Sequence, residues 1–365
     1  MMPFAYQRPS GALAAVAAVH RHHEERRAEL PTSPGQGARY LAGGTNLIDL
    51  MKAGVMRPEL LVDVRRLQLD EIAPTATGGL SLGAMATNAQ TAQHPEVRQR
   101  YPLLRSAILA GASPQIRNRA TNGGNLLQRT RCVYFYDIQV PCNKRVPGSG
   151  CSAAQGFARQ HAILGASNSC VATHPSDFCV ALAALDAEVH VVSPEGERVI
   201  SFANFHRLPE DHPEVDTTLE RDELLTRITL PPNRVESHST YLKIRERSSY
   251  AFALVSVAAA LQLDASGIIV QARLALGGVA HKPWRDPAVE ALLEGRPAET
   301  RVFEEAAQLM LQAAQPCGGP GTPETTPGNA FKIPMARRAI VRALEMALHG
   351  VPTNTGEDAF SAEAA

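Results

Sequence analysis

The 365-residue chain has no surplus of either charge: 36 Lys+Arg balance 36 Asp+Glu, a formal net charge of zero at pH 7. That balance gives no electrostatic reason to expect a nucleic-acid partner. No apolar run is long enough to span a bilayer, so no membrane partner is expected. Cysteine is scarce, six in all, far too sparse for a disulfide scaffold. There is neither a G-x-G-x-x-G fingerprint nor a Walker loop, which disfavours the dinucleotide fold of ordinary dehydrogenases. Near the start, an alanine-rich stretch is followed by His20-Arg21-His22-His23-Glu24-Glu25-Arg26-Arg27. A secretory signal carries its charge before the apolar segment, so residues 11–29 read as a helix and not as a leader.

Periodicity divides what is present into units. Residues 1–65 read as a small α/β unit: the helix over 11–29, a strand at 38–41, a helix at 47–53 and a strand at 60–64. Residues 66–236 form a second unit, with a strand at 80–83, a helix at 102–112, a helix near 176–185, and strands near 188–192 and 225–230. Pro231-Pro232 marks a boundary. From 237 to 351 the pattern changes to three strand-like runs (239–245, 253–263, 267–276) and two helices (302–314, 335–349). Residues 318–329, rich in Gly, Pro and Thr, read as a mobile loop, and 352–365 as a disordered tail.

Two glycine loops carry the chemistry. Ala42-Gly43-Gly44-Thr45-Asn46-Leu47 lies between a strand and a helix. Paired glycines allow positive φ and place no Cβ in the way of a close ligand. The exposed N–H groups of such a turn suit a diphosphate, and Thr45 and Asn46 add side-chain donors. Thr121-Asn122-Gly123-Gly124-Asn125-Leu126 repeats the pattern. Two such cradles suit one extended ligand with a diphosphate at its middle; a pair of plain tight turns is the bland alternative.

These loops, together with Gln115-Ile116-Arg117-Asn118 and Ser176-Asp177-Phe178 in that order, resemble the FAD-binding subunits of the xanthine dehydrogenase family of molybdenum hydroxylases. The likeness runs through nearly the whole chain. It implies an α+β fold: a two-part FAD-binding domain of the vanillyl-alcohol-oxidase (PCMH) type, then a C-terminal domain like that of carbon-monoxide-dehydrogenase flavoproteins. By motif match, Leu41, Ala42, Gly43, Gly44, Thr45, Asn46, Leu47 and Ile48 would wrap the diphosphate, and Thr121 and Asn125 would hydrogen-bond it. Asp177 would accept from the ribose or adenine side, and Lys243 would lie near the flavin ring. Gly111 and Leu225 would supply backbone or apolar contacts. Taken alone, Asp177 also suits a helix N-terminus, and Lys243 a solvated strand position.

Asp177 follows Asn125 by 52 positions, where many family members need only a short link. The insert, about 127–172, contains Cys132, Cys142, Cys151 and Cys170, with 9, 8 and 18 residues between successive members. Without a C-x-x-C pair, zinc-ribbon and bacterial-ferredoxin spacings both fit poorly. Four soft thiolates still select iron–sulfur or zinc, and the surrounding glycines and prolines can bend backbone N–H groups toward sulfur. The insert resembles that of the flavin/iron–sulfur subunits of periplasmic-type aldehyde oxidoreductases and, more distantly, of 4-hydroxybenzoyl-CoA reductases. That likeness implies a [4Fe–4S] cluster on those four cysteines. Cys179 reads as a small buried hydrophobe, Cys317 as an isolated loop thiol, and His161 and His174 as ordinary hydrogen-bonding side chains.

The resemblance implies an electron-transfer subunit of a molybdenum-dependent aldehyde oxidoreductase, holding FAD and [4Fe–4S] and passing electrons to a terminal acceptor. It also implies a heterotrimer with a large molybdenum-cofactor subunit and a small [2Fe–2S] subunit. The compartment expected is cytoplasmic, or periplasmic by co-export with a signal-bearing partner. Alternatives are the flavoprotein subunit of an aromatic acyl-CoA reductase and a metal-stabilised scaffold without flavin.

Overall fold

A computed structural model of the protein describes residues 1–26, 35–233, 235, 238–318 and 328–349. The disordered tail expected at 352–365 and most of the mobile loop expected at 318–329 lie outside the described residues, as do the last positions of the helix expected over 11–29. The described residues form three sheets.

The first is parallel, in the order β1 (Ala5–Gln7), β3 (Leu60–Asp63), β2 (Ala38–Leu41). Parallel neighbours need crossovers, and the helices Ala12–Glu25 and Leu47–Lys52 follow β1 and β2. All four residues of β3 are buried, as a strand paired on both edges requires. The second sheet runs β4 (Ile72–Pro74), β5 (Leu80–Gly83), β8 (Leu224–Leu230), β6 (Glu188–Ser193), β7 (Gly196–Ser201), antiparallel throughout. Helices Pro102–Ala110 and Asp177–Ala184 pack with it; the latter is buried along its whole length.

The third sheet, β9 (Ser239–Ile244), β10 (Val255–Leu263), β11 (Ile269–Gly277) and β12 (Trp284–Arg285), is an antiparallel meander. Alternation along β10 assigns its side chains to two layers. Val255, Val257, Ala259 and Leu261 pack with the helices Pro287–Leu293, Thr300–Met310 and Lys332–His349. Ala258 and Ala260 face the second unit instead, in one core with Phe178, Val180 and Leu104. Small side chains there let a helix approach closely: a Cβ on Gly277 would lie 2.5 Å from Val180 Cγ2. No helix among the described residues is long and apolar enough to cross a membrane.

Candidate cofactor site

The two glycine loops meet. Gly43 lies so close to the backbone of Arg119 that an added Cβ would sit 2.2 Å from its carbonyl oxygen, and Gly44 has φ of +78°. The first position therefore needs glycine for approach and the second for conformation. Two clefts open from this junction, of about 900 Å³ and 490 Å³, and Thr45, Asn46 and Gly124 line both. An elongated ligand with its middle at the loops and an arm in each cleft matches that shape.

The smaller cleft is lined by Ala42, Gly43, Gly44, Leu47, Thr121 and Leu225 from the motif set. It also holds three arginines that no motif marks: Arg39, Arg129 and Arg221. Burial pushes the Arg39 guanidinium down to about 10, and the positive charges of Arg129 and Arg221 push the same way. Like charges gathered beside N–H-rich turns favour an anionic occupant. Arg129 is itself fixed, its side chain on Asp216 at 2.8 Å and its amide on Asn46 Oδ1 at 2.9 Å. Asn46 thus fastens the first loop to the start of the insert.

The larger cleft is lined by Gly111, Asn125, Asp177 and Lys243 from the motif set, together with Arg117, Arg131, Tyr250 and Phe252. Asn125 is already committed: its Nδ2 donates to Asn88 at 2.8 Å, and its Oδ1 accepts from Ser176 and Gln128, each at 2.6 Å. Thr121 caps its own short helix, accepting from the Gly124 amide at 3.2 Å. A buried network of Asn88, Thr91 and Asn122 fixes the second loop from beneath.

Four motif residues stand apart from the rest of their set. Leu41 packs into a core with Leu50, Met51, Phe135 and Cys142. Ile48 lines neither cleft; its Cδ1 lies beside Gly44 and much of its side chain is exposed. Asp177 and Lys243, expected at different parts of a ligand, form one ion pair at 2.8 Å, with Lys243 also donating to Ala110 O at 3.0 Å. Tyr241 donates to the other Asp177 oxygen at 2.7 Å. Both charges therefore sit at one point of the larger cleft.

The four insert cysteines line a single small cavity together with Thr130, Tyr134 and Lys144. All six cysteines of the chain are free thiols. Cys142 and Cys151 face each other across an isolated antiparallel bridge. Backbone amides lie near the sulfurs: those of Phe135 and Tyr134 near Cys132, of Val171, Ala153 and Ala154 near Cys151, and of Ala172 near Cys170. Burial nonetheless pushes the Cys132 thiol up to about 12, while the Cys170 thiol is held up by its hydrogen bond to Cys151 and then by burial. Lys144 is buried beside them, donating to Pro213 O at 2.5 Å and paired with Asp216. Burial alone would raise the Asp216 carboxyl, but Lys144 and Arg129 hold it below the usual range. Soft donors, amide N–H groups and a buried cation around one hollow are what an anionic metal–thiolate group requires, so the residues fit such a group.

Other expectations fall out as follows. Cys179 is fully buried in its helix. Cys317 is not isolated: its amide donates to Asn329 Oδ1 at 2.7 Å and its sulfur to Ala162 O at 3.4 Å, beside the insert. Donor atoms of His174, Cys179 and His206 lie within 4.8 Å of one another. His174 Nδ1 there accepts the Ser176 amide at 3.4 Å.

Fold and site together fit a flavin-binding subunit of an oxidoreductase. Residues 3–233 match the FAD binding domain in molybdopterin dehydrogenase, and residues 240–347 match the CO dehydrogenase flavoprotein C-terminal domain. The chain belongs to the FAD-binding subunits of the molybdenum hydroxylase family, within the aldehyde oxidoreductase and xanthine dehydrogenase branch. It is 49% identical over 309 residues to the aldehyde oxidoreductase FAD-binding subunit PaoB of Escherichia coli (strain K12), covering 84% of this chain and 91% of that one. It is 27% identical over 346 residues to the carbon monoxide dehydrogenase medium chain of Afipia carboxidovorans, covering 93% and 96%. Among solved structures, a chain of the Cu,Mo-CO dehydrogenase in its cyanide-inactivated form superposes with a TM-score of 0.70 at 25% identity, over 95% of this chain and 99% of that one.

Proposed function

We propose that this chain is the electron-transfer subunit of a molybdenum-dependent aldehyde oxidoreductase, holding FAD across the junction of the two clefts and a [4Fe–4S] cluster on Cys132, Cys142, Cys151 and Cys170. Bound FAD supplies the exchange between electron pairs and single electrons that joins such centres. The chain's own residues grip and orient: the loops at Gly43 and Gly124 present N–H groups, and Arg39, Arg129 and Arg221 balance negative charge. On this reading residues 1–65 and 66–236 are the two parts of the FAD unit and 237–351 the third. Partners are a large molybdenum-cofactor subunit and a small [2Fe–2S] subunit, in keeping with relatives that are a FAD-binding subunit and a medium chain.

The observation that carries the cluster is the convergence of four free thiols on one cavity, with amide N–H groups near their sulfurs. A structural zinc would use the same thiolates, and the missing C-x-x-C pair counts against zinc-ribbon and ferredoxin spacings alike, so metal analysis separates the two. Anaerobic purification with iron, zinc and flavin analysis is the test. Four irons and one FAD per chain are expected, and Cys142→Ser should lose iron while keeping flavin. Zinc in place of iron, or an unchanged iron-to-protein ratio in the variant, removes the assignment. The large subunit that co-purifies separates an aldehyde oxidoreductase from an aromatic acyl-CoA reductase.

A further inference from the structure

Cys132 differs from the other three cysteines of the cavity in having a histidine ring nitrogen against its sulfur. His161 Nε2 lies 3.1 Å from its sulfur. The imidazole is buried, 4% exposed, and tilted against the Tyr134 ring. What holds it comes from the C-terminal unit. Asn329 Nδ2 donates to the His161 carbonyl at 3.0 Å, and Lys332 Nζ at 2.8 Å. Both side chains are completely buried, and Lys332 also donates to Gly278 O. A second observation concerns direction. A void of about 40 Å³ is lined by Cys132 and His161 on one side and by Asp177 and Phe252, which also line the larger cleft, on the other. Cys132 is shared by this void and the cysteine cavity, and His161 lines the void beside it.

We infer that His161 is a positioning residue that sets the reduction potential of the metal group at the four cysteines, through an N–H···S hydrogen bond to Cys132 whose geometry is fixed by Asn329 and Lys332. The inference rests on the cluster proposed above. Adding an electron to an iron–thiolate group places more negative charge on its sulfurs, so a donor aimed at one of them stabilises the reduced state more than the oxidised one. The two backbone amides at Cys132 act in the same sense, and the imidazole adds a third donor. Because its anchors belong to the third sheet's unit, seating of that unit and the potential of the centre become linked.

The test uses the full chain, purified anaerobically with its flavin, as wild type, His161→Leu and His161→Gln. The readouts are iron per chain and the midpoint potential of the cluster, followed by electron paramagnetic resonance. His161→Leu, with iron retained, should move the midpoint to lower potential, and His161→Gln, which keeps an N–H donor, should restore most of the shift. A wild-type midpoint in an iron-replete His161→Leu variant overturns the inference. Should the leucine variant lose its iron, wild-type protein labelled with ¹⁵N-histidine gives the answer. The reduced cluster should then show hyperfine coupling to one imidazole nitrogen, and the absence of coupling overturns the inference. A wild-type chain that binds no iron is a different failure, seen before any variant is made; it removes the cluster and this inference with it.

Discussion

Gly43 carries more of the site than its size suggests. The carbonyl of Arg119 occupies the space its side chain would need, so even one methyl group must drive the two loops apart. Arg119 is a backbone neighbour with no flexible end to swing aside, and the distance of 2.2 Å is far inside van der Waals contact. Gly43→Ala should therefore lower flavin occupancy of the purified chain at least tenfold and lower its thermal unfolding temperature. Gly11→Ala is the control, since nothing lies within 4 Å of that position and its φ is −157°. Full flavin in Gly43→Ala would mean the loop junction does not hold the cofactor. Residues of this kind were legible in the sequence because Gly-Gly flanked by Thr and Asn is a local signal. Arg39, Arg129 and Arg221 were not: they lie on a strand, in the insert and before β8, and only folding gathers them into one cleft. Leu41 and Ile48 differ from the rest of the motif in where their side chains go: Leu41 packs with Leu50 and Met51 on the strand face it shares with Arg39, and Ile48 lies beside Gly44.

Between elements, the ends of short helices are fastened by buried histidines. His206, just after the helix Phe202–Phe205, donates from Nε2 to the carbonyl of Leu126, the last residue of the second glycine helix, at 2.9 Å. Its ring meets Phe202 and Phe205 edge to face and lies tilted against His174. Burial pushes the imidazole down from 6.5 to about 4. Between those values the unfolded chain takes up a proton that the folded chain does not, so stability falls as pH drops through 6.5 and levels off below 4. The loss from this one residue is about 2 kcal/mol by pH 5. Half-buried His174 and buried His281, also lowered by desolvation, act in the same direction. His206→Gln keeps a donor for Leu126 without the titration. Its unfolding temperature should lie slightly below wild type at pH 7.5 and fall less steeply toward pH 5; parallel slopes would refute the assignment. Long apolar elements such as β10 and the helix Lys332–His349 were readable from periodicity. β1 and β7 were missed because their burial patterns are almost wholly exposed, leaving no alternation to see. The helix Asn88–Gln93 did leave a sign: Thr87 and Gln90 form a capping box, a spacing visible in the sequence.

At the scale of the whole molecule, the Asp177–Lys243 pair joins the helix that closes the flavin unit to the first strand of the C-terminal sheet. Lys243 is 4% and Asp177 8% exposed at the side chain, so the ion pair is shielded from solvent and salt. Lys243→Met leaves the carboxylate buried with Tyr241 as its remaining side-chain partner, and should cost about 3–5 kcal/mol. Combining it with Asp177→Asn removes the stranded charge, so the double variant should be less destabilised than the sum of the singles, by at least about 1 kcal/mol. Strict additivity in denaturant unfolding would show that the pair does not couple the two units. Flavin content then separates two roles that share the same atoms. If Lys243 acts only as a tie between units, the double variant regains flavin along with stability. If its ammonium also faces the flavin ring, stability returns in the double variant while flavin affinity stays low, because methionine supplies no charge to the cleft. The position of the pair on the wall of the larger cleft favours the second outcome.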